Sequence, residues 1–117
     1  MNSTTLQRYH IREQKQREHI DGTVERNKRI INDKNNNKTP SSYFDKDFDI
    51  NKLYEKNRGK GLIITNPQGW ADEYISVEDY VGYVYNVGTK QYQKVKRFVI
   101  KYSSKGVHLH PVKDWGR

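Results

Sequence analysis

QYQKVKRFVIKYSSKGVHLHPV, residues 91–112, decides the fold. Every second side chain shares a side: Lys94, Lys96, Phe98, Ile100 and Tyr102 on one, Val95, Arg97, Val99 and Lys101 on the other. A period of two belongs to a β-strand, whose successive side chains point to opposite faces. The Ser-Ser-Lys-Gly that follows is turn chemistry. VHLHPV then returns the chain, with Val107 and Leu109 on one face and His108 and His110 on the other. Two antiparallel strands thus close the sequence, and the rest must pack against them.

Working back, NVGTK (residues 86–90) reads as a hairpin connection, and YVGYVY (residues 80–85) as its first strand, rich in β-branched and aromatic residues. GWADEYI (residues 69–75) reads as one or two helical turns, and LIIT (residues 62–65) as a short apolar strand between GKG and NPQG. DFDINKLYEKN (residues 47–57) offers a short helix that turns Phe48, Ile50, Leu53 and Tyr54 inward. NDKNNNKTPSS (residues 32–42) is a loop by composition. The first 32 residues are polar helix formers, with Leu6, Tyr9, Ile20, Val24 and Ile31 at loose helical spacing. Asp21-Gly22-Thr23 interrupts them, and Thr23 is placed to cap a second helix over residues 24–31. Helices first and an antiparallel meander last make an α+β domain, N-terminal helices packed on a small antiparallel sheet. The expected division is a polar extension over residues 1–14 and one domain over residues 15–117.

The 117 residues suffice for one modest core. Only 32% are hydrophobic, and the nine tyrosines make many of those amphipathic. The absence of cysteine excludes disulfides and thiolate metal sites. No apolar run is long enough to span a bilayer, and the N-terminus has no signal-peptide core, so no membrane partner is expected. Net charge is +8, concentrated at the end: residues 81–117 hold eight lysines and arginines against a single acid, Asp114. A basic segment of that kind is the footprint of a polyanion, with solubility as the plain alternative.

Strand alternation lets lysines and histidines of neighbouring strands converge on one surface. Histidine exchanges protons near neutrality, and lysine or arginine can hold a phosphate and the extra charge of its transition state. Those parts suffice to cleave RNA with neither metal nor cofactor. Each residue also has a plain reading. His10 sits among polar residues as a solvated side chain, and His19 can cap a helix end as readily as it can catalyse. His108 and His110 have the spacing of a metal pair but lack an evident third ligand. Asp72, Glu73, Glu78 and Asp79 read as solvated acids at element ends. No phosphate loop, HExxH or nucleophile elbow is present.

Two stretches read together carry more. KQREHIDGT (residues 15–23) resembles the KQxxHIxGT motif that opens the polymorphic toxin type 50 domain. IKYSSKGVHLHP (residues 100–111) resembles that family's closing I-x-Y-S-x-K-G-x-H-[I/L]-x-P motif. Ser41, Ser42 and Phe44, then GKG, NPQGW and VGYVYN, follow in the expected order between them, so the resemblance spans about residues 15–113. It implies a module of phage head-morphogenesis proteins or bacterial polymorphic toxins, in the barnase–EndoU–colicin–RelE-like group of metal-independent ribonucleases. The active site would then lie on the sheet face.

Carried over position by position, the resemblance makes His19 and His108 the acid–base pair, with Lys15 beside the scissile phosphate. It gives substrate contacts to Thr23, Tyr102, Ser103 and Lys105, with Lys101 on the same strand as Tyr102. The family pattern has a threonine entering the penultimate strand. Residues 93–97 read QKVKR instead, leaving Lys94 or Lys96 to make that phosphate contact. His110 lies outside the motif and reads as incidental. The implied partners are RNA and an acidic immunity protein, in the bacterial cytoplasm. The competing reading is a non-catalytic phage or prophage protein, binding nucleic acid or packed in a virion. A chain that starts at Met with no delivery module suits either.

Overall fold

A computed structural model describes residues 9–114. Three helices come first, α1 (Glu13–Arg17), α2 (Val24–Asn35) and α3 (Ile50–Asn57). Six strands follow, β1 (Leu62–Thr65), β2 (Ala71–Ser76), β3 (Gly82–Asn86), β4 (Gln91–Val95), β5 (Arg97–Ser103) and β6 (Gly106–Pro111). The expected α+β architecture holds, with helices and sheet sharing one core. The main sheet is antiparallel in the order β1-β2-β5-β6, and β3 and β4 form a separate two-stranded ribbon.

The alternation in residues 91–102 therefore crosses between sheets. Val95 ends the ribbon and Arg97 opens the main sheet, with Lys96 at the corner between them. Its N–H donates to Asp114 Oδ2 at 2.9 Å, and its carbonyl accepts from Val77 at 2.8 Å. The chain bends at Lys96 alone, and the period of two in the side chains runs on through that bend without revealing it. Register puts Glu73, Ile100 and Leu109 on one face of the main sheet, and Asp72, Lys101 and His108 on the other. The first face meets Ile11, Phe44, Ile50 and Tyr54 in the core.

Residues 69–75 correct the helical expectation. Ala71–Ser76 is a strand in the middle of the sheet, paired to β1 and β5. Pairing on both edges overrides the local preference of Ala, Asp and Glu for helix. Glu73, expected to be solvated, is fully buried. Its carboxylate accepts from the N–H groups of Gly59 (3.0 Å) and Gly61 (2.7 Å) and from the Tyr102 hydroxyl (2.8 Å). The GKG turn folds around this side chain, and a Cβ on Gly61 would collide with the Tyr74 carbonyl.

The helices are held by polar contacts as much as by apolar ones. Thr23 does cap α2, its Oγ1 accepting from the Arg26 N–H at 3.0 Å. The apolar spacing in α2 misleads, since Val24 and Ile31 are 64% and 60% exposed while Arg26 and Asp33 are buried. Asp33 accepts from the N–H and hydroxyl of Ser41 (2.9 and 2.7 Å) and from Arg29 Nε (3.2 Å), folding the asparagine loop back on the helix. In α3 the expected Ile50 and Tyr54 face the core, and Asp49 Oδ1 caps the Lys52 N–H. The fold begins before residue 15: Ile11 bridges to Val107, and the Tyr9 N–H donates to the Tyr54 hydroxyl at 2.9 Å. Leu6 and most of the expected extension lie outside the described residues.

Candidate functional site

α1 has five residues, too few to be stable alone. It is fixed to β6 by one buried side chain. Gln16 Nε2 donates to the Leu109 carbonyl at 2.8 Å, and the Leu109 N–H donates to Gln16 Oε1 at 2.7 Å. Together with Arg12 N to Val107 O (2.8 Å) and Val107 N to His10 O (2.9 Å), this pairs off the outer edge of β6. His19 follows α1 by two residues, and its carbonyl accepts from the Phe44 N–H at 2.7 Å. The clamp sets His19 beside the strand that carries the other two histidines.

Three imidazoles stack there. The His19 ring centroid lies 4.9 Å from that of His110 and 5.9 Å from that of His108, with interplanar angles of 23° and 9°. His108 and His110 are 6.1 Å apart. His110, read from sequence as incidental, is thus the nearer neighbour of His19. Its strand spacing from His108 was the signal, since residues i and i+2 share a face.

His19 Nδ1 donates to the Ser42 carbonyl at 2.9 Å, and His110 Nδ1 donates to the Pro111 carbonyl at 3.2 Å. A carbonyl can only accept, so both rings carry the proton on Nδ1 and leave Nε2 as a bare acceptor. Ser42 Oγ is 3.5 Å from His110 Nδ1.

All three rings are held neutral. Burial pushes His19 down to about 2, aided by His110 and His108 and then Arg29. Burial, His110, Lys15, Arg12 and Lys101 take His108 to about 3. Burial, then Lys101 and Arg29, take His110 to about 4, against the opposing pull of its hydrogen bond to the Pro111 carbonyl and, more weakly, of Asp72. Desolvation and encircling cations both penalise the imidazolium. The near-parallel planes keep the ring nitrogens from converging, and among the described residues no three side chains are arranged to hold a metal ion.

The other expected site residues separate into two groups. Lys15 and Lys101 stand at the histidines, each in an ion pair, Lys15 with Glu18 (3.3 Å) and Lys101 with Asp72 (3.0 Å). Arg12 and Arg29 join them and were not singled out in the sequence, where nothing distinguishes them from other helix cations. Arg29 pairs with Glu18 at 2.7 Å and Asp33 at 3.2 Å. Lys15 and Arg29 also line a polar cleft of about 510 Å³ with Gln14, Lys28 and Lys38.

The remaining residues are engaged in the fold. The Thr23 hydroxyl donates to the Arg17 carbonyl at 2.6 Å besides capping α2. Tyr102 is buried on the core face, bonded to Glu73. Ser103 Oγ donates to the Gly106 carbonyl (3.0 Å) and accepts from the Lys105 N–H (3.2 Å), closing the β5–β6 turn with Lys105 exposed upon it. Lys96 lies over the Tyr80 ring at 4.8 Å, at the β4–β5 corner. The larger groove, about 570 Å³ between α3 and residues 77–81, contains no histidine.

No curated protein and no solved structure is significantly similar to the chain. A family model described as bacterial toxin 50 matches residues 11–111, which takes in His19, His108 and the whole main sheet. The chain belongs to this family of polymorphic toxin domains.

Proposed function

We propose that the domain is a ribonuclease toxin that cleaves RNA by proton transfer within the histidine cluster, without a metal ion. The supporting observation is the stack of three neutral imidazoles at the edge of a basic sheet face, two presenting bare Nε2 atoms. One imidazole takes the proton of the 2′-hydroxyl as O2′ attacks phosphorus. The P–O5′ bond breaks, and a second, protonated imidazole gives its proton to O5′. The products are a 2′,3′-cyclic phosphate and a 5′-hydroxyl end.

His19 and His108 divide these transfers. Parallel rings 5.9 Å apart leave too little room for a phosphate between their faces, so the diester lies across their edges. His110 backs the pair. A neutral base is ready at pH 7, while the acid acquires its proton when the phosphate's negative charge enters and offsets the surrounding cations. Lys15 and Lys101, released from Glu18 and Asp72, meet the phosphate oxygens, and the polar cleft beyond Lys15 accommodates the flanking backbone. Ser103 at the end of β5, Lys105 on the turn after it and Lys96 at the corner before it are outer contacts. The reaction belongs to the bacterial cytoplasm, where an acidic immunity protein would cover the basic face.

The test is incubation of the purified chain with total RNA in excess chelator, beside His19→Ala, His108→Ala and His110→Ala. Cleavage by the wild type that falls by about a hundredfold or more in the first two is the expected result. RNA left intact, with salt-sensitive binding indifferent to all three substitutions, would instead identify a nucleic-acid-binding module.

A further inference from the structure

The ribbon carries chemistry that the histidine cluster does not use. Register sets Tyr83 opposite Lys94 and Tyr85 opposite Tyr92, so these four side chains share one face. Tyr43 joins them from the preceding loop through a backbone bridge to Tyr83, their rings stacked 4.8 Å apart at 16°. Tyr92 sets its edge against Tyr43 at 5.0 Å and Tyr85 at 5.3 Å. All four rings are partly exposed. The ribbon bears Lys90 and Lys94 and no carboxylate.

Behind the rings lies Arg26, only 6% exposed. Its guanidinium sits 4.3 Å over Tyr43, and its nitrogens donate to the Ser41 carbonyl (3.1 Å), the Ser42 carbonyl (3.2 Å) and the Tyr92 hydroxyl (3.0 Å). Among the described residues it makes no ion pair. Its hydrogen-bond partners are all neutral, while the Asp21 carboxylate also acts on the Tyr43 ring. A cross-strand pair such as Tyr85–Tyr92 already serves to stabilise a ribbon. Stabilising the ribbon requires neither a third and fourth ring nor a buried cation.

The cluster is also continuous with the candidate catalytic site. The Ser42 carbonyl that receives Arg26 is the same one that receives His19 Nδ1. Gly82 seats the ribbon against the end of β6, where a Cβ would collide with the Pro111 ring, one residue after His110.

We propose that the ribbon face formed by Tyr83, Tyr85 and Tyr92, supported by Tyr43 and Arg26, is a stacking platform for an unpaired nucleobase adjoining the cleaved phosphate. This rests on the ribonuclease reading and gives it a substrate class: single-stranded RNA, engaged through a base as well as its backbone. Aromatic faces accept any base, and Lys90 and Lys94 hold the phosphates that follow it. The platform fixes the register of the strand, so that one particular linkage lies over the imidazoles.

The experiment uses the full chain and a fluorescent 2′-O-methyl hexanucleotide, which cannot be cleaved because the attacking hydroxyl is blocked. Versions with one abasic residue at each position in turn are compared with the intact strand. Loss of one stacked base should weaken binding roughly ten- to a hundredfold at one position and little elsewhere. Tyr85→Leu, with its melting temperature measured as a control for folding, should make intact and abasic strands bind alike, whereas Tyr85→Trp should preserve the difference. Equal binding of intact and abasic strands by the wild type overturns the platform without any variant being needed, as does failure to bind any strand. Cleavage of the corresponding all-ribose hexanucleotide is followed in parallel. Base-dependent binding without cleavage removes the ribonuclease reading and leaves the platform. Cleavage that ignores the abasic position does the reverse.

Discussion

Tyr102 shows how one side chain's surroundings decide its role. It belongs to the closing motif, yet its hydroxyl donates to the buried Glu73 carboxylate at 2.8 Å, on the opposite face of the sheet from His108. Burial, and then that carboxylate, push the phenol well above its ordinary value, so it is a fixed donor throughout the neutral range. A hydrogen bond to a charged acceptor contributes more than a neutral one, and its removal from a dry site leaves the acceptor short of a partner. Tyr102→Phe should therefore lower stability by about 2 kcal/mol in urea unfolding while leaving cleavage kinetics unchanged. A fall in activity at unchanged stability would return Tyr102 to the substrate contacts. Motif membership alone could not separate these cases, because a residue that holds the Gly59–Gly61 turn recurs in a motif as readily as one that touches RNA. His110 is the converse case: it stands outside the motif and next to His19.

At the scale of elements, α1 depends on its clamp. Gln16→Leu would leave the Leu109 N–H and carbonyl buried without partners, each costing about 1–3 kcal/mol. The urea midpoint should fall steeply, and amide exchange at residues 13–20 should quicken more than in β5. Exchange that quickens uniformly would mean that the clamp supports the whole fold rather than α1. The sequence disclosed elements whose pattern follows from burial: the β5–β6 hairpin with its alternation, α3 with its inward Ile50 and Tyr54, and the Thr23 cap. It hid those shaped by polar contacts. α2 buries Arg26 and Asp33 and exposes its apolar residues, so its hydrophobic spacing pointed the wrong way. β2 has helix-forming residues and is a strand because two neighbours pair with it. The candidate site was half legible: the strand period placed His108 and His110 together, but His19 is brought to them by long-range contacts, the Gln16 clamp spanning 93 residues among them.

Over the whole molecule, the histidine cluster couples folding to pH. In the unfolded chain each imidazole binds a proton near its ordinary value of 6.5. In the folded chain His110 resists until about pH 4, His108 until about 3 and His19 until about 2. Above pH 6.5 both states are neutral at these sites and the cluster costs nothing. As pH falls below 6.5 the unfolded chain gains protons that the folded chain refuses, so stability is lost at about 1.4 kcal/mol per pH unit for each histidine. Three such groups give a slope near 4 kcal/mol per unit at its steepest, against a total of about 5–15 kcal/mol for a domain. The melting temperature should be level above pH 7, decline from about pH 6, and collapse between about pH 5 and 4. In His110→Asn, which has no imidazole to protonate there, the decline should be about a third shallower. An acid limb identical in the two proteins would mean that other groups govern it. A polyanion that binds the protonated cluster should move the limb to lower pH, because occupying the site supplies the negative charge that the imidazolium lacks in the free protein. The same linkage that weakens the empty fold in acid would then arm the proton donor when RNA is bound.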